Sequence, residues 1–338
     1  MRISTFAAAI VTLAVGCSNR SPAEEKQGQA REAAPLRQVQ TIELPGVEGR
    51  FDHFAIDIPN KRLFLAALGN NSLEVIDLAT NKQIQSLPNL KKPTGAAYIP
   101  DLNRLAVASG DDGLCRFYDG NPLKLVGQIK GLDDADNVRY DPAAKKLYLG
   151  YSSGALAVID PQKMQKTADI KLDAHPESFQ LEKTGPRIFI NIPDAHQIAV
   201  VDRDQQSVIA KWPLKDPSAN FPMALDEPHK RIFIGCRNPA RLLILDLDSG
   251  KNIATLPCVG DTDDLFYDAP SKRIYISGGD GAITTITQLD PDHYQPLIDQ
   301  KTAPGARTSF FSPDLHALYL AVPHRGAQPA QIRIYSTK

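Results

Sequence analysis

The chain lacks most of the residue patterns that announce a chemistry. Its four cysteines in 338 residues include no CxxC, CxxCH or zinc-finger spacing, so covalently attached c-type haem and structural zinc are without support. No G-x-S-x-G elbow, HExxH pair or nucleotide-binding glycine fingerprint occurs. Nor is there an excess of one charge: 38 basic residues face 39 acidic ones, so bulk charge draws the chain neither to nucleic acid nor to an anionic membrane. Its apolar run, residues 3–15, is too short to span a bilayer as a mature helix.

That run has a different reading. Arg2 precedes it and Gly16-Cys17 follow, and the ending AVGC resembles a bacterial lipoprotein signal in which Cys17 is lipidated after cleavage, although Ala14 stands where Leu is usual. Ordinary signal-peptidase cleavage nearby is the alternative, and both imply export to the periplasm or cell envelope. Residues 18–35 are charged, rich in Ala, Gln and Glu and without apolar periodicity, which suggests a flexible tether. Setting Cys17 aside leaves Cys115, Cys236 and Cys258. Cys236 and Cys258 are the pair nearest in sequence, but buried single thiols in strands serve as small apolar residues, and no disulfide is expected.

Residues 36–338 are organised by a repeat. Seven segments share one pattern: DIPNKRLF (from Asp57), IPDLNRLA (Ile99), DPAAKKLY (Asp141), EKTGPRIF (Glu182), DEPHKRIF (Asp226), DAPSKRIY (Asp268) and SPDLHALY (Ser312). They recur about every 42 residues, the period of a solenoid or propeller. In each unit a short apolar strand turns on Pro, Asn, Asp or Gly into a second strand. A third follows, such as LEVIDL or LLILDL, and then a fourth, such as KQIQSL. Four strands in seven units predict an all-β, seven-bladed propeller. The last unit stops after its third strand, IRIYST, whereas RQVQTIEL at residues 37–44 has no blade of its own. It is expected to complete the last blade and close the ring.

These units, with a D-P-like turn, a K/R-hydrophobic-F/Y strand and a VID strand, resemble the YVTN-repeat, YncE-like propellers of exported bacterial proteins, over residues 37–338. WD40 repeats are a poorer match: no GH-to-WD spacing occurs and the single Trp212 falls in a fourth strand. The resemblance implies a fold, not a reaction, since propellers host binding modules and enzymes alike. DNA binding is attributed to one branch of that family, and the near-neutral charge speaks against it here.

The fold gives the acidic stretches GLDDADNVRYD (131–141) and GDTDDLFYD (260–268) an address. Loops entering the first strand of each blade converge on the mouth of the central channel. Counting five residues back from each repeat start gives Asp52, Thr94, Asp136, Glu177, Phe221, Asp263 and Arg307. Beside them stand His53, Asn137, Ser178, Asp264 and Thr308, with Asp134, His175, Asn220 and Asp261 slightly further out. Carboxylates brought together need a cation. Arg307, Arg50 and Lys92 offer one answer, a hydrated funnel of ion pairs. A divalent metal on Asp136, Glu177, Asn220 and Asp263 is another: oxygen ligands alone suit Ca²⁺ or Mg²⁺, and the addition of His53 and His175 suits Zn²⁺, Mn²⁺ or Cu²⁺. A small organic ligand held partly by Arg307 is the third.

Loops between second and third strands should form a polar rim on the same face, with Asp111, Asp112, Asp194, His196, Arg237, Arg241, Asp280, His324 and Arg325. The recurring Asp77, Asp160, Asp202 and Asp246 read as structural turn residues. The leading functional reading is a monomeric, envelope-tethered propeller that binds a small molecule or protein at this face and meets the membrane only through a lipid anchor. A metal-dependent, lactonase-like hydrolase with His53 or His175 as base is the alternative.

Overall fold

The computed structural model describes Met1 and residues 36–338; the expected signal segment, Cys17 and the tether lie outside them. Residues 36–338 form seven sheets, each a run of antiparallel neighbours. Blade 1 comprises Phe54–Asp57, Arg62–Ala67, Ser72–Asp77 and Lys82–Leu87. The first strands of blades 2 to 7 are Pro93–Ile99, Val138–Asp141, Phe179–Leu181, Ser218–Asp226, Thr262–Asp268 and Ser309–Ser312. First strands of successive blades touch all round the ring, including that of blade 7 against blade 1.

Burial follows position in the blade, and the sequence carries that gradient. A second strand is sandwiched between neighbouring blades: Arg62–Ala67 is buried throughout and is correspondingly apolar on both faces. The outer strand Lys82–Leu87 alternates between exposed and half-buried residues. Turns between first and second strands place Lys61, Asn103, Lys145, Lys230, Lys272 and His316 in the left-handed region, so each turn repeats one backbone geometry. Asp77, Asp160, Asp202 and Asp246 each accept backbone N–H groups of the turn that follows, for example Ala79 N at 2.8 Å and Gln205 N at 2.9 Å. Their recurrence is therefore the recurrence of a turn.

The ring closes as the repeat predicts. Arg37–Glu43 pairs antiparallel with Gln331–Ser336, from Arg37 opposite Ser336 to Glu43 opposite Gln331, as the outer strand of blade 7. Leu36, Ile42 and Leu44 bury their side chains there almost completely. In blade 6 the expected outer strand is split into His293–Pro296 and Gln300–Lys301, both paired to Ala282–Asp290. Cys115, Cys236 and Cys258 are free thiols, and burial pushes each up to about 12.

On the face opposite the mouth, arginines at the start of second strands bolt one blade to the next. Arg62 pairs with the buried Asp57 at 2.7 Å and donates to Gly120 O in blade 2. Arg104 likewise reaches Pro161 O in blade 3, Arg187 reaches Leu247 O in blade 5, and Arg231 reaches Pro291 O in blade 6. Blade 3 has Lys146 at this position. There Arg203 of blade 4 reaches back to Asp141 instead.

Candidate functional site

One backbone hydrogen bond, repeated, sets the mouth. The amides of Asp52, Asp136 and Glu177 donate to Ala66 O, Gly150 O and Asn191 O of their own second strands, at 2.8, 2.9 and 2.9 Å. Three blades thereby present a carboxylate at the same height. Blade 2 stays low between them: Thr94 donates through Oγ1 to Ala135 O at 2.7 Å. A Cβ on Gly95 would stand 2.1 Å from Asp136 O, so the close approach that seats Asp136 requires glycine.

The resulting pocket, about 310 Å³, is lined by Asp52, His53, Asp136, Asn137, His175 and Glu177 on one side and by Phe221, Arg237, Asp263 and Arg307 on the other, with Arg50, Lys92, Thr94, Asp134 and Ser178 between and above them. Its two sides differ electrostatically. On the second, Asp263 is held by Arg237 at 2.5 Å and by Arg307 at 3.1 Å, and Arg307 also holds Asp261 at 2.6 Å. Arg237 lies 3.5 Å over the Phe221 ring. These acids are neutralised from within.

The first side is held more loosely, by two imidazoles and by Arg50, which stands 3.6 Å from Asp52. His53 Nε2 stands 3.6 Å from Asp52, and His175 Nε2 stands 3.9 Å from Asp136. Asp52, His53 and Asp136 bring ligand atoms within 4.8 Å of one another, and so do Asp136, His175 and Glu177, so that Asp136 belongs to both triads. His175 Nδ1 donates to Ser152 O at 2.7 Å, which turns Nε2 toward the acids. A carbonyl behind the imidazole in this way fixes the tautomer of metal-binding histidines.

Electrostatics register the crowding. Burial, reinforced by Asp136 and Asp263 against the pull of His53, holds Asp52 well above the usual carboxylate range. Burial and then Asp136 push Glu177 up to about 7. For Asp136 burial acts in the same sense, but His175 and His53 outweigh it and its pKa falls. His175 rises to about 9, chiefly through Asp136. His53 rises to about 10 because Asp264 and Asp52 overcome the opposing effect of burial.

A pH effect on stability follows. Glu177 titrates at about 7 in the folded protein against about 4.3 when unfolded, so the folded state binds the proton more tightly. The stability this contributes is complete below the unfolded pKa and is lost as pH rises through 7. In chelator-treated protein Glu177→Gln removes that loss, which amounts to up to about 3 kcal/mol. Thermal melts at pH 4 and pH 8 should show no advantage for the variant at the lower pH and a midpoint a few degrees higher at the upper. Equal differences at both pH values would contradict the assignment.

Several expected residues stand elsewhere. Asn220 is completely buried outside the pocket and donates to Asn191 Oδ1 at 2.8 Å and Gln197 O at 3.1 Å. Its strand begins early, at Ser218, with a register shift between Asn220 and Met223. Asn220 is therefore a strand residue turned toward blade 4, while Phe221 takes the place at the mouth. Asp263 reaches the pocket, but its two guanidinium partners correct its expected role as a ligand. Asp264 lies one layer deeper, where it accepts the Ser309 amide at 2.7 Å and faces His53 Nδ1 at 3.8 Å. Asp134 and Asp261 sit at the rim, with side chains 62% and 40% exposed. Among the expected rim residues, Arg237 alone lines the pocket. Sequence reasoning missed Arg139, which enters the channel below. The signal for it was a single basic residue inside a first strand, VRYD, in a repeat whose other first strands read FAID, AAYI and FFS.

No protein-family model and no curated protein matches this chain. Solved structures do. Hydrazine synthase of Kuenenia stuttgartiensis superposes with a TM-score of 0.70 at 17% identity, covering 82% of this chain and 95% of that one. A chain of a mitotic checkpoint complex superposes with a TM-score of 0.75 at 13% identity, covering 96% and 99%. At these identities the likeness is one of fold: this chain is a seven-bladed β-propeller, an architecture compatible with binding ligands or proteins.

Proposed function

We propose that the protein is an exported, envelope-tethered binding propeller whose channel mouth takes a divalent transition metal on Asp136, with Asp52 and His53 or with His175 and Glu177 completing the ligands. One observation carries the reading. Asp52 is 8% exposed, yet its carboxylate accepts no hydrogen bond within 3.5 Å among the described residues and meets Arg50 and His53 only at 3.6 Å each. Every other buried acid there does: Asp57, Glu74, Asp141, Glu182, Asp226, Asp264 and Asp268. Buried carboxylates without donors are costly unless a cation serves them. The imidazole that either triad sets among its oxygens favours Zn²⁺, Mn²⁺ or Cu²⁺ over Ca²⁺. Such an ion would neutralise the acids and offer an open coordination position to a ligand from the top face.

The test is elemental analysis of the untagged protein, followed by titration with Zn²⁺, Mn²⁺, Cu²⁺ and Ca²⁺ after chelation. About one transition metal per chain is expected, with Ca²⁺ failing to compete. Protein that neither contains nor takes up any of the four ions would overturn the proposal. A second reading is metal-assisted hydrolysis, with an ion on Asp136, Asp52 and His53 and with His175, 3.9 Å from Asp136, as the base beside it. It requires turnover that disappears on chelation. Export rests on the N-terminal apolar run ending in Gly16-Cys17, and the mass of the mature N-terminus decides between lipidation and ordinary cleavage.

A further inference from the structure

Below the mouth the channel widens into a second chamber of about 360 Å³, sharing only His53 with the pocket above. Its walls come from the first strands of six blades and are largely aromatic: Phe54, Tyr98, Tyr140, Phe266 and Phe310, with Ala55, Ala96 and Ala97 leaving room between them. Its charged groups are His53, Asp264 and Arg139. The first two answer one another at 3.8 Å. Arg139 is left over.

The guanidinium of Arg139 donates to Val138 O at 2.9 Å and Asn137 Oδ1 at 3.3 Å, and it lies 5.7 Å from the Phe179 ring centroid. Among the described residues no carboxylate comes within 4.0 Å of it. Arg62, Arg104, Arg187, Arg203, Arg237 and Arg307 each hold one. A planar fork of donors beside apolar rings is suited to a carboxylate attached to a flat hydrocarbon body. Burial draws the Arg139 pKa down against the opposing pull of Asp264 and Asp136, neither of which pairs with it directly.

We propose that this chamber binds a small aromatic monocarboxylate, with the carboxylate on Arg139 and the ring among Phe54, Tyr98, Phe266 and Phe310. The site needs no metal, and it meets the one proposed at the mouth only at His53.

Calorimetric titration of the purified, chelator-treated protein with benzoate and cinnamate, and with benzamide and cinnamide as neutral isosteres, tests it. Binding of at least one acid is expected, at least tenfold tighter than its amide and retained in chelator. Arg139→Gln should weaken the acid at least tenfold and leave the amide unchanged. Because Arg139 holds no acid of the protein, the substitution strands no buried charge and the fold should persist. If it does not, the comparison of acid and amide on the unsubstituted protein still decides. Failure of both acids to bind, amides binding as tightly as acids, or an Arg139→Gln protein of undiminished affinity would each overturn the assignment. Binding that appears only after a metal is restored would place the anion at the mouth and overturn it too.

Discussion

Asp136→Ala is expected to weaken the proposed metal uptake at least a hundredfold, whereas Asp263→Ala, at the opposite side of the same pocket, is expected to leave it within a few-fold. Both residues are channel-mouth aspartates supplied by entry loops, so total charge does not distinguish them. Geometry does. Asp136 is shared by both triads, and its loss leaves at most two ligands in each, where transition metals are typically held by three or four. A fall in affinity of at least a hundredfold is expected. Asp263 already spends its oxygens on Arg237 and Arg307. Competition against a chromophoric chelator measures both variants. Equal losses would mean that the site responds to summed charge, and the triad assignment would fall.

Removal of residues 36–44 has the largest expected effect on folding. This segment supplies the outer strand of blade 7 and buries Leu36, Ile42 and Leu44 at 1%, 2% and 1% exposure. Leu36 packs with Tyr275, Phe311 and Tyr335, while Ile42 and Leu44 pack with Phe51, Tyr319 and Ile332. At roughly 1.5–3 kcal/mol for each buried side chain, the loss is on the order of 5–9 kcal/mol before the unpaired edge of Gln331–Ser336 is considered. Whole domains are stable by only about 5–15 kcal/mol. A chain beginning at residue 45 is therefore expected to lose its cooperative melt and to associate through that edge. A sharp transition within a few degrees of the full-length midpoint would refute the closure argument.

The repeat made the ring legible because each blade repeats the same physical problem. A turn residue must be left-handed, a second strand must be apolar on both faces, and an aspartate must cap the next turn, so DPAAKKLY and DAPSKRIY look alike across more than a hundred residues. The closing strand could be read because RQVQTIEL looks like KQIQSL and the last unit lacked its fourth strand. Counting back along the entry loops found Asp52, Asp136, Glu177, Asp263 and Arg307, all of which line the mouth.

What the count could not supply was direction. Asn220 is adjacent to a correctly placed residue, yet a register shift in a nine-residue strand turns it sideways into blade 4. Asp263 and Asp136 look equivalent until Arg237 arrives from the end of the second strand of the preceding blade, and its reach is a tertiary fact. Arg139 escaped because the search stopped where the loops end. A cation on a channel-lining strand is visible in sequence as an exception to the repeat. Whether it has a partner is not.

The arginine bolts opposite the mouth tie successive blades together from blade 1 to blade 6. Arg62, Arg104 and Arg203 join blades 1 to 4, and these are the blades that carry Asp52, His53, Asp136, His175 and Glu177. Among the described residues no such bolt flanks blade 7, which joins blade 1 through a shared apolar core, Phe54, Leu63 and Leu65 with Tyr319 and Ile332, and through the Thr308 hydroxyl on Phe51 O. Arg307 stands at the entrance to that blade. At that entrance the ring is held by apolar packing and by the pairs Arg307 makes with Asp261 and Asp263, so the same guanidinium that lines the mouth also ties blade 7 to the entry loop of blade 6.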